Sequence, residues 1–240
     1  MEAPEGLAPI FVTGGLAAWG PLIGALVVAA ADGGGQGVKR LLRRLVQWRF
    51  AGACWAAAVL LLPVVIGAAW VVAGVVDGVR PASEALENPA VLPIAFLYIL
   101  VLGGPLQEEA GWRGTLLERT QSRYAPLAIS VVVGLVWAIR HLPLFDLPSA
   151  GIYYEKPFWG LALSTVLLSV LLTWLYNRTG GSLLAVMVMH ASFNWAHYAF
   201  PALESDSGGL AYFALLIAAC AAILWLSGPS LGKGRSDPAT

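Results

Sequence analysis

The sequence predicts an all-α polytopic membrane helix bundle of about seven transmembrane helices, with a possible cytoplasmic interfacial helix. Hydrophobic residues make up 58% of the 240 residues, mean hydropathy is +0.74 and charged residues make up only 12%, which is typical of membrane proteins. Apolar runs of about 20 residues recur along the chain, and a helix of that length crosses a bilayer core. Because lipid cannot pair with backbone polar groups, these runs are expected to be helices.

Seven apolar runs follow one another, at 9–31, 51–76, 91–112, 126–145, 157–177, 181–200 and 208–227. Between the first two, residues 38–50 place apolar side chains at helical spacing among basic ones. This pattern fits an amphipathic helix in the cytoplasmic interface or a simple basic loop, and both interpretations stay open. We predict one membrane domain over 1–227 and a disordered cytoplasmic tail over 228–240, which is rich in Gly, Ser and Pro.

Charge placement predicts the orientation of the chain. Basic residues concentrate in the connections after the first, third, fifth and seventh runs, whereas the other connections hold most of the acidic loop residues. The positive-inside rule therefore places the N-terminus outside and the C-terminus in the cytoplasm. Because Arg outnumbers Lys and Ala and Gly are abundant, we expect the plasma membrane of a prokaryote.

Ionisable side chains inside the predicted spans are the first indication of function. Each costs about 2.5–3.5 kcal/mol on insertion scales, so such residues are usually kept for a functional reason. Five of them lie inside the predicted spans: Glu108, Glu109, Arg140, His141 and His190.

The two adjacent glutamates are expected to differ in role. Arg113 follows Glu109 by four residues, so these two side chains can meet on one helix face and compensate each other's charge. Glu108 points to another face and has no partner on its own helix, and a carboxylate in an apolar setting suits a general base. A purely structural cluster of salt bridges is the alternative interpretation.

The two histidines belong to patterns that are weak when taken singly. Trp137 precedes His141 by four residues, and Asn194 follows His190 by four; either pair could serve only packing or a hydrogen bond between helices. Their expected depth in the membrane links these residues to Glu108. At 1.5 Å per residue from the cytoplasmic turns, Glu108, both histidines and the amide lie roughly 15–22 Å deep.

Two histidines, a carboxylate and an amide at one depth are enough to activate a water molecule and stabilise the oxyanion that its attack creates. The sequence contains no HExxH pattern, which excludes a standard zincin. It also contains no GxSxG pattern, which disfavours a serine hydrolase. The residues therefore indicate a hydrolytic site built from glutamate and histidine inside the membrane.

The pattern resembles the CAAX protease and bacteriocin-processing family, also called CPBP or Abi, whose motifs are EExxxR, [F/W]xxxH and HxxxN. The motif positions in this chain are Glu108, Glu109, Arg113, Trp137, His141, His190 and Asn194. They span less than half of the chain, but their order and intramembrane setting make the combined signal strong. The resemblance implies an intramembrane endopeptidase related to the enzymes that remove the last three residues from prenylated CAAX proteins.

By position, the resemblance assigns Glu108 and His141 to activation of the attacking water. It assigns His190 and Asn194 to stabilisation of the oxyanion. The residues implied to support the site are Glu109, Arg113 and Trp137.

The sequence leaves open whether the protein requires a cofactor. Family members are often labelled metalloproteases, and the motifs alone do not require a metal. By ligand chemistry, Glu108, His141 and His190 could complete a three-ligand zinc site with an open position for water. A divalent metal such as zinc and a glutamate-dependent reaction without metal therefore both remain alternatives.

The expected partners are membrane lipids and a membrane-associated protein or peptide substrate, and a net charge of zero gives no reason to expect nucleic acid. The sequence indicates no oligomeric state. A noncatalytic membrane immunity or scaffold protein is the main alternative function, and a proton-coupled transporter is a weaker one. Outside the motifs, we interpret His197 as pore-lining or interfacial and expect Arg140 to pair with a carboxylate or snorkel outward.

Overall fold

The computed structural model describes residues 16–150, 153–154 and 156–233, which form helices joined by turns and loops and contain no strands. The helices are α1 Gly20–Leu45, α2 Gly52–Val76, α3 Glu84–Glu87, α4 Val91–Leu102, α5 Pro105–Gly111, a π-helix Trp112–Leu117, α6 Glu118–Thr120, α7 Pro126–Arg140, α8 Phe158–Arg178, α9 Leu183–Ala199 and α10 Asp206–Ser227. Short 3-10 turns lie at Leu16–Trp19, Leu142–Asp146, Pro148–Ala150, Ala202–Glu204 and Gly228–Ser230. The predicted all-α polytopic bundle is confirmed.

Five stretches of the described residues are long and apolar enough to cross a membrane: Gly52–Val76, Val91–Thr120, Pro126–Asp146, Phe158–Arg178 and Asp206–Ser230. The predicted span 181–200 corresponds to α9, which has 17 residues and is therefore about 26 Å long. The predicted span 9–31 begins outside the described residues and continues in α1. The chain is an integral membrane protein.

α1 bends where we predicted a connection. Gly33 and Gly34 leave helical geometry, and Gly34 has φ +53° and ψ −143°, a backbone conformation that favours glycine. Beyond the bend the chain is helical to Leu45. Residues 38–45 are thus helical, as the amphipathic interpretation of 38–50 expects, whereas residues 46–50 are not helical.

The predicted span 91–112 is not one continuous helix. α4 ends at Leu102, and Gly104 has φ +113°, which is accessible to glycine but strained for other residues. Pro105 then starts α5 with the fixed φ that suits a first helical turn. Irregular backbone at membrane depth is tolerated where protein surrounds it, and the break lies next to the predicted site.

α9 occupies the centre of the bundle. It packs against α2, α4, α5 and α8, and most of its side chains are buried. On one side of this core, α7 and α8 form the most extensive pair of helices in the described residues. Their backbones approach closely at Gly134, where an added Cβ would lie 2.5 Å from Val166 Cα.

The chain beyond α10 packs on the bundle at first. Leu231 is fully buried, and its carbonyl accepts a hydrogen bond from Asn177 Nδ2 at 3.3 Å. Lys233 Nζ donates to the carbonyl of Gln121. An apolar side chain and two polar contacts thus connect residues 228–233 to the bundle. The disordered tail over 228–240 stays a prediction, and residues 234–240 lie outside the described residues.

The contact at Gly134 yields a stability prediction. Gly134→Ala should lower the free energy of unfolding by about 1–3 kcal/mol, since the added methyl group must push α7 and α8 apart. Thermal unfolding in detergent measures this change. Gly209→Ala is the matched control, because a Cβ at Gly209 meets nothing within 4 Å; equal stability of the two variants would contradict the close approach.

Candidate active site

α5 directs its two glutamates toward two different helices. Glu108 and Glu109 are both buried, with 6% and 0% of their surface exposed. Successive helical residues point about 100° apart because a turn contains 3.6 residues. Glu108 therefore reaches α7, and Glu109 reaches α9.

Glu109 holds a fully buried charged cluster. Its Oε1 accepts a hydrogen bond from Arg113 Nη1 at 3.1 Å, which is the pairing that the spacing predicts. The same oxygen lies 2.9 Å from His190 Nδ1 on α9. No side chain of the three is more than 4% exposed, so removing one partner would leave a buried charge, at a cost of about 3–5 kcal/mol.

Trp137 closes this cluster from α7. Its ring centroid lies 5.2 Å from the guanidinium carbon of Arg113, a distance at which the ring attracts a cation. The His190 ring meets it at 4.9 Å and 73°, close to the edge-to-face geometry that aromatic pairs favour. The aromatic residue of the second motif thus contacts residues of the first and the third.

Glu108 has a partner that the sequence did not reveal. Its Oε1 accepts a hydrogen bond from Arg140 Nη1 at 2.8 Å. The expectation that Glu108 lacks a local partner holds only for its own helix, because this contact joins residues 32 positions apart. The expected pairing of Arg140 with a carboxylate is present, and the Glu108 side chain is 7% exposed against 26% for Arg140.

His141 lies directly beside this ion pair, as the C-cap of α7. Its Nδ1 is 2.8 Å from the carbonyl oxygen of Trp137. A carbonyl only accepts, so Nδ1 carries a proton, and in the neutral ring Nε2 holds the lone pair.

The helix break brings the other predicted residues to the same place. Asn194 Nδ2 donates to the carbonyl of Gly103 at 3.2 Å. A Cβ on Gly104 would lie 3.8 Å from Glu108 Cδ and 4.0 Å from His190 Cε1. Glu108, His190 and Asn194 therefore surround the break between α4 and α5, with His141 next to the partner of Glu108.

A cavity of about 550 Å³ lies between α1 and the segment that follows α5. Its lining is mostly apolar and includes Pro21, Trp112 and Leu116. Arg140 also lines this cavity. The cavity therefore reaches the cation that binds Glu108.

The zinc hypothesis can be compared with the positions of the donor atoms. Within the described ranges, no three His, Cys, Asp or Glu side chains are arranged so that they could hold a metal ion. Glu108 contacts Arg140 through Oε1, and His190 contacts Glu109 through Nδ1. Glu108, His141 and His190 do not form a three-ligand set in this arrangement.

Two residues outside the motifs differ in their relation to the site. His197 lies between the rings of Phe193 at 4.7 Å and Tyr212 at 5.1 Å, and its pore-lining or interfacial position stays a prediction. Tyr153, which the motifs did not indicate, has its ring 5.6 Å from that of His141. Burial, with a smaller effect of Glu108, raises the pKa of Tyr153 to about 12, so its hydroxyl keeps its proton at neutral pH.

Comparisons with known proteins agree with the motifs. Residues 90–196 match the family model described as Type II CAAX prenyl endopeptidase Rce1-like, and all the motif residues lie within that range. The chain is 26% identical over 140 residues to CAAX prenyl protease 2 of Methanococcus maripaludis, which covers 55% of this chain and half of that protein. The resemblance to the CPBP family of CAAX-protease-like endopeptidases is therefore confirmed.

Proposed function

We propose that this protein is an intramembrane endopeptidase of the CAAX-protease-like type, acting on a membrane-associated protein or peptide. The observation that carries the proposal is the meeting of Glu108, His190 and Asn194 around the break at Gly103 and Gly104, beside His141. A carboxylate and imidazoles around one point are the groups that proton transfer during hydrolysis requires.

In the proposed reaction, Glu108 and His141 activate a water molecule. As the water oxygen bonds to the carbonyl carbon of the substrate, Glu108 accepts the water proton, and the carbonyl oxygen becomes an oxyanion. His141 assists because its Nδ1 proton is held by the carbonyl of Trp137, which leaves Nε2 to orient the water. When the C–N bond breaks, the proton passes from Glu108 to the leaving amine, which regenerates the carboxylate.

His190 and Asn194 are proposed to stabilise the oxyanion. Glu109 accepts from Nδ1 of His190, and its negative charge stabilises the doubly protonated ring whose Nε2 then donates to the oxyanion. The Asn194 amide has two N–H groups and uses one on Gly103. Arg113 and Trp137 hold this arrangement by compensating the charge of Glu109 and packing against His190.

The proposed orientation, with the N-terminus outside and the C-terminus cytoplasmic, has support from contacts at one end of the bundle. Arg44, at the end of α1, binds Glu118 of α6 and the hydroxyl of Tyr176 on α8. Lys233 binds the backbone carbonyl of Gln121 just after α6. The basic connections that should face the cytoplasm thus meet at the same end.

The role of Glu108 can be tested with purified protein and a fluorogenic peptide in detergent. Glu108→Gln should lower kcat by at least about 100-fold, because an amide cannot accept the water proton. Glu84→Gln is the control, since Glu84 is an exposed acid on α3 and should leave the rate unchanged. A folded Glu108→Gln protein that cleaves at the wild-type rate would remove the basis of the proposal.

Metal dependence is a separate test. Because Glu108, His141 and His190 are not arranged as a ligand set, we expect activity to survive chelation within about twofold, in protein shown by elemental analysis to be free of zinc. Loss of activity on chelation that one equivalent of zinc restores would contradict this expectation. That result would instead support a metal-dependent reaction.

A further inference from the structure

Arg140 is not one of the motif residues, yet it makes a direct contact with the proposed general base. The two side chains join α7 to α5 through a hydrogen bond of 2.8 Å between opposite charges. Such charge-assisted bonds are stronger than neutral ones and restrict direction. We propose that Arg140 is a positioning residue for Glu108, an inference that rests on the function proposed above.

The C-terminal end of α7 places Arg140 where it can position Glu108. Arg140 is its last residue and His141 is its C-cap, so one rigid helix end holds both the cation beside Glu108 and the imidazole proposed to assist it. Trp137, one turn earlier, is buried against Arg113 and His190. Arg140 thus positions the carboxylate of Glu108 relative to His141, the next residue along the chain.

The two carboxylates of the first motif have separate counter-charges with different surroundings. The pair of Glu109 and Arg113 is completely buried, as expected of a structural contact. In the pair of Glu108 and Arg140, the arginine side chain is 26% exposed. Arg140 therefore compensates the charge of Glu108 while its own side chain stays partly exposed to water.

The cavity beside Arg140 allows a test by chemical rescue. Arg140 lines the cavity of about 550 Å³ between α1 and the segment after α5. If the side chain is truncated, a guanidinium ion can enter from this cavity and occupy the position of the missing group. Urea has nearly the same shape but no charge, so it separates the effect of the cation from that of filling space.

The experiment compares peptide cleavage by wild-type protein, Arg140→Gln, Arg140→Lys and Arg140→Ala, each checked for folding by thermal unfolding. Arg140→Gln should lower kcat about tenfold or more while KM changes less than about threefold, since the substrate does not need to contact the arginine. Arg140→Lys should recover part of the lost rate. Millimolar guanidinium, but not urea, should raise kcat of Arg140→Ala. Arg119→Gln is the control, because Arg119 lines the same cavity but pairs with Asp32.

The outcomes separate this inference from the proposed function. If the wild-type protein cleaves peptide and folded Arg140→Gln keeps its kcat, the positioning role is overturned while the proposed activity stands. A loss that neither lysine nor guanidinium relieves also overturns it, because the arginine would then act only in packing. A wild-type protein that cleaves no peptide overturns both the proposed function and this inference.

Discussion

The structure of the site depends on compensation of charge inside a membrane protein. Glu109, Arg113 and His190 are almost completely buried, and one carboxylate oxygen contacts both the guanidinium and the imidazole. A charge buried in an apolar interior is costly unless an opposite charge lies beside it, and Glu109 and Arg113 provide this for each other. This cluster therefore ties α5 to α9, and Trp137 extends it to α7.

The cluster holds α5 in place, although the backbone just before α5 departs from helical geometry. The chain breaks at Gly103 and Gly104, and Gln107 and Asn194 bind the backbone groups that the break releases. Irregular backbone of this kind is tolerated at membrane depth where protein surrounds it. The position of Glu108 results from this arrangement. It lies one turn after Gly104 and within reach of Arg140.

Much of the fold and of the candidate site could be predicted from the sequence, because helical spacing determines which residues of one helix meet. The apolar runs indicate the helices, the spacing of Glu109 and Arg113 indicates their contact, and depth counting indicates that the motif residues converge. The contact of Glu108 with Arg140 could not be predicted, since it depends on how α5 and α7 are rotated toward each other. Similarly, the burial of Leu231 depends on the surface offered by helices distant in sequence.

The cluster around Glu109 holds the site together, and a double-mutant cycle on stability tests this most directly. Thermal or denaturant unfolding would be measured for Glu109→Gln, His190→Gln and the double variant in the same detergent. We predict a coupling energy of about 1 kcal/mol or more, because the two side chains share one buried hydrogen bond. Effects that add within about 0.5 kcal/mol would show that the side chains do not interact, which would contradict the account.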